Sequence, residues 1–209
     1  MYDILYLRQN NCSTALFMLR FLKYMLQLVL SPVNGWEDIA KSNIPLNRLL
    51  SKGLYPLMVV ASLTTFCSLF YSVDATFVSC LQSAVIIFIS FFVTYFFANI
   101  IFTTFGSNFL NPANEPDDSS SYHLDSNRAS TFIIYNLGIL EVLAIMTNLL
   151  PVKHSLLQFF PFLVALLMWK GADFMNVAPN RVGHFTFLSV FSILVPIYLL
   201  QYFFSMLLS

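Results

Sequence analysis

Charge is what this chain has least of. Ten Lys and Arg and ten Asp and Glu make up 10% of 209 residues, and they balance to zero. Soluble domains carry roughly 25% charged residues, so this composition cannot cover an ordinary water-facing surface. It also excludes nucleic acid as a partner, because phosphate binding needs clustered Lys and Arg on an accessible face. Cysteine is scarce: Cys12, Cys67 and Cys80 have no paired spacing, which argues against a disulfide framework or a zinc site. His123, His154 and His184 are scattered along the chain, so no metal is expected, and no cofactor either. A Gly-rich phosphate loop, a Gly-x-Ser-x-Gly elbow and a His-Glu-x-x-His pattern are all missing, and the chain is not expected to be an enzyme. The apolar run from Ala15 to Leu30 is interrupted by Arg20 and Lys23 and lacks a small-residue cleavage site, so it does not read as a cleavable signal.

What fills the sequence is hydrocarbon: 58% hydrophobic and 17% aromatic residues, with a mean hydropathy of +0.74. A helix needs about 20 apolar residues to cross a bilayer core of roughly 30 Å. On that measure the chain divides into an N-terminal segment, 1–53, and a five-span transmembrane domain, 54–209. The expected spans are about 54–71, 77–105, 129–150, 155–175 and 184–207. The polar stretch 107–128 between the second and third spans, rich in Pro, Ser and Asp, predicts a mobile loop. The predicted class is an all-α integral membrane protein with five transmembrane helices and an N-terminal amphipathic interfacial helix.

That interfacial helix is predicted over Ser13–Ser31. At about 100° per residue, Ser13, Arg20, Lys23, Gln27 and Ser31 share one stripe, interrupted only by Leu16, and the remainder is mostly Leu, Phe, Met and Val. Arg20 and Lys23 would reach the headgroups while the apolar body sits in the acyl boundary. The alternative is a sixth span that tolerates two charges. Pro32 stops this helix, Gly35 loosens the turn, and Trp36 reads as an interface anchor. A short helix from Trp36 to Leu50, broken at Pro45, then leads into the first span. The basic residues Arg8, Arg20, Lys23, Lys41, Arg48, Lys52, Arg128, Lys170 and Arg181 all fall on one side of a five-span layout, and Lys153 alone on the other. The excess of positive charge on cytoplasmic loops then puts the N-terminus in the cytoplasm and the C-terminus outside.

Two polar features lie within the spans. Ser79, Ser83, Ser90 and Thr94 align along the second, and Gly138, Glu141, Ile145 and Asn148 share a face of the third, which should turn inward. Glu141 is the one carboxylate well inside a span. An intramembrane acid is by default a proton relay, an ion ligand or a substrate contact; the other reading is a hydrogen-bonded Glu that locks the third span to the serine seam. The candidate intramembrane polar site is therefore Glu141 and Asn148 with Ser83, Ser90 and Thr94.

Leu30-Ser31-Pro32-Val33-Asn34-Gly35-Trp36-Glu37-Asp38-Ile39, followed by a short polar helix and Leu54-Tyr55-Pro56-Leu57 at the mouth of the first of five spans, resembles the bacterial branch of the Yip family, the Ypt/Rab-interacting proteins. Pro32, Trp36, Ile39 and Pro56 carry the likeness. The resemblance implies an integral membrane protein of the bacterial inner membrane, with no catalytic residues and no cofactor. The long cytosolic N-terminal region of the eukaryotic members, with its Asp-Leu-Tyr-Gly-Pro type motif, is not found here, so binding of Rab-type GTPases does not carry over. The expected role is a membrane scaffold or adaptor that binds other membrane proteins, or itself, or shapes the bilayer. The alternative is a small transporter or channel using Glu141.

Overall fold

A computed structural model describes residues 2–106, 126–150 and 160–208; the expected mobile loop (107–125 of it), Lys153 and the start of the fourth span lie outside them. All secondary structure among the described residues is helical, apart from one isolated bridge residue and turns. Helix α1 covers Tyr2–Leu30 and α2 covers Pro32–Ser42. Next, α3 (Leu46–Leu49), a π-helical turn (Leu50–Leu54), α4 (Tyr55–Leu63) and a 3-10 stretch (Thr64–Phe70) make one uninterrupted helical rod. Long helices α5 (Phe77–Phe105) and α6 (Ser126–Leu149) follow, then the short α7 (Phe160–Lys170) and the long α8 (Val182–Leu208).

Four helical stretches, Leu46–Phe70, Phe77–Phe105, Ser126–Leu149 and Pro179–Leu207, are long and apolar enough to cross a membrane. The apolar stretch of α6 is 67% buried inside the protein, against 28–39% for the other three, so α6 is the helix that the rest surround. Every residue from Phe132 to Glu141 is buried, on all sides of the helix. That is the signature of a core helix rather than a one-faced surface helix. The expected fourth span is represented by α7, whose 11 residues are too few to cross a bilayer unaided.

Side-chain contacts fix the helix directions. Phe102 near the end of α5 meets Phe185 near the start of α8, and Ser130 at the start of α6 bonds Asn99 late in α5, so α5 runs opposite to both. Phe132 also meets Phe185, which makes α6 and α8 parallel. Between them α7 runs back along α6: Phe160 shares a groove with Val142 and Met146, while a Cβ on Gly171, just past the other end of α7, would touch Phe132.

The first two helices depart from the expectation. The sequence has α1 lying along the membrane surface, ended by Pro32. The structure packs one side of it against α6, α7 and the Leu50–Leu54 turn, because a second stripe, Phe21, Met25 and Leu28, is buried. Three glycines admit that stripe. Phe21 packs over Gly53, Met25 and Phe21 over Gly138, and Leu28 against Gly35. Pro32, rather than only stopping a helix, occupies the first turn of α2, where its missing N–H costs nothing. Gly35 is inside α2 and does not loosen a turn: it is the point of closest approach in an antiparallel α1–α2 hairpin, which a Gln27–Asp38 hydrogen bond also links. Near the hairpin turn Leu26 and Val29 share a groove with Val142 and Met146 in the last third of α6, and α2 then returns to Asn43. Asn43 takes a left-handed conformation (φ 43°), which ends the helix before Pro45.

Candidate functional site: the α6 polar column and the basic end

The described Lys and Arg gather at one end of the bundle. Arg20, Lys23 and Lys41 line one groove there, and Arg128 stands at the start of α6, Lys170 at the end of α7 and Arg181 just before α8. Trp36, expected as an interface anchor, is instead a core residue. Its ring stacks between Phe132 (5.3 Å between centroids) and Phe174 (5.0 Å), and its indole N–H donates to the Leu167 carbonyl at 3.2 Å. The reason is the register of the hairpin, which swings this face of α2 onto α6 and α7; Ile39 is buried on the same face, and Pro56 opens α4. Arg20 and Lys23 remain exposed on the outer face of α1.

Of the four α6 residues expected to face inward, Gly138 and Glu141 are buried, in a stretch that is buried all round, and Ile145 and Asn148 are half-buried. Gly138 receives α1, and Asn148 donates to the Ala61 carbonyl (3.3 Å) and to Thr64 Oγ1 (3.1 Å), tying α6 to α4. Tyr71 closes the same corner by donating to the Asn148 carbonyl at 2.6 Å. Glu141 is fully buried one heptad earlier, and both its carboxylate oxygens lack a hydrogen-bond partner.

The serine seam does not meet this carboxyl by hydrogen bonding. Thr94 and Ser90 are fully buried, but Thr94 Oγ1 donates to the Ser90 carbonyl of its own helix (2.7 Å), and Ser90 Oγ is unpartnered. Ser83 is exposed and lines a separate cavity. Continuing the antiparallel register from the Ser130–Asn99 bond by eleven residues on each helix brings Glu141 level with Phe88, within a turn of Ser90. Tyr135 Oη and Asn136 Oδ1 are further buried, unpartnered polar atoms on α6. Sequence reading missed Tyr135: a hydroxyl in an apolar run carries no periodic signal of its own.

Four cavities surround these groups. A groove of about 720 Å³ between α1 and α2 carries Arg20, Lys23 and Lys41. A polar cleft of about 560 Å³ lies where the α2–α3 connection meets the start of α6, with Asn43, Asn47, Arg128 and Tyr135 on its walls. At the opposite end, about 340 Å³ is lined by Thr65, Ser83, Asn148 and Gln201. An apolar groove of about 340 Å³ separates α1 from α6 and α7. Glu141 lines none of these four. Among the described residues no group of three or more His, Cys, Asp or Glu converges as a metal site would require.

No protein-family model, curated protein or solved structure matches the chain.

Proposed function

We propose that this protein is a non-enzymatic, five-span membrane scaffold of Yip-like type that shapes the bilayer and gathers membrane-protein partners. The reading rests on one observation. The α1–α2 hairpin turns exposed Leu19, Leu26, Leu30 and Val33 outward, beside the exposed cations Arg20, Lys23 and Lys41. A hairpin with such an apolar outer face, held at the headgroups of one leaflet by its cations, displaces lipid on that side, which is the asymmetry that bends a membrane. Leu26, Leu30 and Val33 belong in hydrocarbon, with Arg20, Lys23 and Lys41 above them at the headgroups.

The expected fourth span, about 155–175, contains α7, which runs back between parallel α6 and α8 and on this reading completes the five. With the basic end in the cytoplasm, the N-terminus is cytoplasmic and the C-terminus lies outside. Kinship with the bacterial Yip branch, and with it a place in the bacterial inner membrane, is carried by Pro32, Trp36, Ile39 and Pro56 in the Leu30–Ile39 and Leu54–Leu57 stretches. Binding of Rab-type GTPases is not part of the proposal.

The test is reconstitution into vesicles imaged by electron microscopy, paired with in-cell crosslinking and mass spectrometry. The native chain narrows the vesicles or recovers a stoichiometric membrane partner, and a Leu19→Gln, Leu26→Gln, Leu30→Gln variant loses that effect. Unchanged vesicles together with recovery of the protein alone would overturn the reading.

A second reading is favoured by Glu141. A fully buried carboxyl with neither oxygen partnered, on the central helix, suits a small transporter or channel that exchanges a proton there. It requires flux in proteoliposomes that falls on Glu141→Gln, and flux equal to empty vesicles removes it.

A further inference from the structure

We propose that the groove between α1 and α2 is a binding site for a phosphate-bearing anion, with Arg20, Lys23 and Lys41 as its cationic walls. Arg20 and Lys23 are three apart on α1 and so lie on one face. The Leu28–Gly35 and Gln27–Asp38 pairings set the register of the hairpin, and continuing it brings Lys41 opposite Lys23. Three cations therefore converge on one groove of about 720 Å³.

The carboxylates at hand do not balance them. Asp38 brings one negative charge into the groove, where the Gln27 amide orients it, and Glu37 pairs with Lys41 at 3.4 Å, so three cations face two carboxylates and one positive charge is left over. Arg20 and Lys23 make no ion pair with any described residue. The residual positive charge, with Arg20 and Lys23 free of an ion pair among the described residues, favours an anion, and phosphate matches such a set: a guanidinium binds two of its oxygens side by side while ammonium groups take the others.

The groove also has apolar walls, Leu16 and Leu19, and exposed Leu26 and Leu30 continue them along α1 toward the hairpin turn. A lipid phosphate seated among the cations could lay its acyl chain on that leucine track. The site deepens the proposed placement of the hairpin in one leaflet, but phosphate binding in detergent does not depend on that placement. A failure here is thus distinguishable from a failure of the bilayer-shaping reading.

The experiment is native mass spectrometry of the full chain in detergent, titrated with phosphatidylglycerol and with phosphatidylcholine of the same acyl chains. A further arm adds glycerol phosphate as a soluble competitor. Phosphatidylglycerol binds more tightly than phosphatidylcholine, and the Arg20→Gln, Lys23→Gln variant weakens it by about 25-fold, taking about fivefold for each cation near the membrane surface. Lys41→Gln alone weakens it about fivefold, which keeps the test decisive if the double variant is poorly folded. Arg48→Gln, an exposed cation at the same end but outside the groove, leaves it unchanged. Displacement by glycerol phosphate would support the site and name a free phosphate as its source; persistence of the lipid would support it and name the headgroup. Equal losses from Arg48→Gln and from the groove variants, or no preference for the anionic lipid, would overturn the proposal.

Discussion

Leu28 and Gly35 face each other across the α1–α2 hairpin so closely that a Cβ on residue 35 would stand 2.9 Å from the Leu28 Cα. The neighbour is backbone, so no rotamer change relieves the contact. Gly35→Ala must push the two helices apart. An overpacked contact of this kind costs about 1–3 kcal/mol, enough to lower the melting temperature of a chain this size by several degrees. The separation also widens the groove between Lys23 and Lys41. Thermal unfolding of the purified variant in detergent checks this, and a melt identical to the native one would mean that the hairpin is looser than the geometry requires.

Trp36 gives a second, sharper test. Its indole combines ring stacking on Phe132 and Phe174 with the bond to the Leu167 carbonyl, so it joins α2, α6 and the end of α7. Trp36→Phe keeps an aromatic ring but removes the donor and is expected to cost about 1 kcal/mol. Trp36→Ala empties a core site and is expected to cost about 3–5 kcal/mol. An interfacial tryptophan would behave differently, with both variants within about 1 kcal/mol of native stability and the change appearing in membrane affinity instead. Tryptophan fluorescence separates the two cases in a Trp169→Phe background, which removes the half-exposed second tryptophan: a buried Trp36 resists aqueous quenchers added to the detergent-solubilised protein.

At the opposite end, Asn148 is the fastener between α6 and the rod that begins at Leu46. Its amide donates to the Ala61 carbonyl and to Thr64 Oγ1. Asn148→Ala removes both bonds and leaves the Thr64 hydroxyl without that donor, at an expected cost of about 1–3 kcal/mol. Asn148→Asp keeps the shape but cannot donate, so it should be at least as damaging, whereas Asn148→Gln retains the donor and should be milder. That ordering, read from melting temperatures, distinguishes a donated hydrogen bond from simple packing.

The long helices were legible in the sequence because bilayer-length apolar runs announce themselves. The structure gives α5 as Phe77–Phe105, the limits that the flanking Asp74 and Gly106 suggest. The inward face of α6 was legible too, since Gly138, Glu141 and Asn148 recur at helical spacing. What could not be read was which of two stripes on α1 would be covered. Arg20, Lys23 and Gln27 mark the outer stripe plainly, but the buried one, Phe21, Met25 and Leu28, is ordinary apolar sequence. Its burial depends on glycines as far away as Gly138. Trp36 misled for the same reason: its nearest neighbours in sequence, Glu37 and Asp38, are polar, whereas its hydrogen-bond acceptor is Leu167. Long-range pairing of this kind has no local signal. The serine seam was half right, because helical spacing places Ser83 and Ser90 on one line but does not say where along it the neighbouring helix leaves a cavity.

Glu141 is where stability and function pull apart. Two carboxyl oxygens buried on the central helix with no donor within reach are a liability, because burying a polar group without a hydrogen bond costs about 1–3 kcal/mol even on protein-derived scales. Glu141→Leu fills similar space without that cost and is expected to raise the melting temperature by about 2–12 °C, at roughly 2–4 °C per kcal/mol for a chain of this length. Glu141→Gln keeps polar atoms in the same place and is expected to change it little. An intramembrane acid is by default a functional group, and the stability of the leucine variant separates that use from a structural one. If Glu141→Leu is more stable than the native protein and equally able to narrow vesicles or recover its partner, while proteoliposome flux falls, then the carboxyl serves transport. If the leucine variant is instead several degrees less stable, Glu141 has partners in the folded protein, such as buried water shared with the equally unpartnered Ser90 hydroxyl, and its role is to hold α6 against α5.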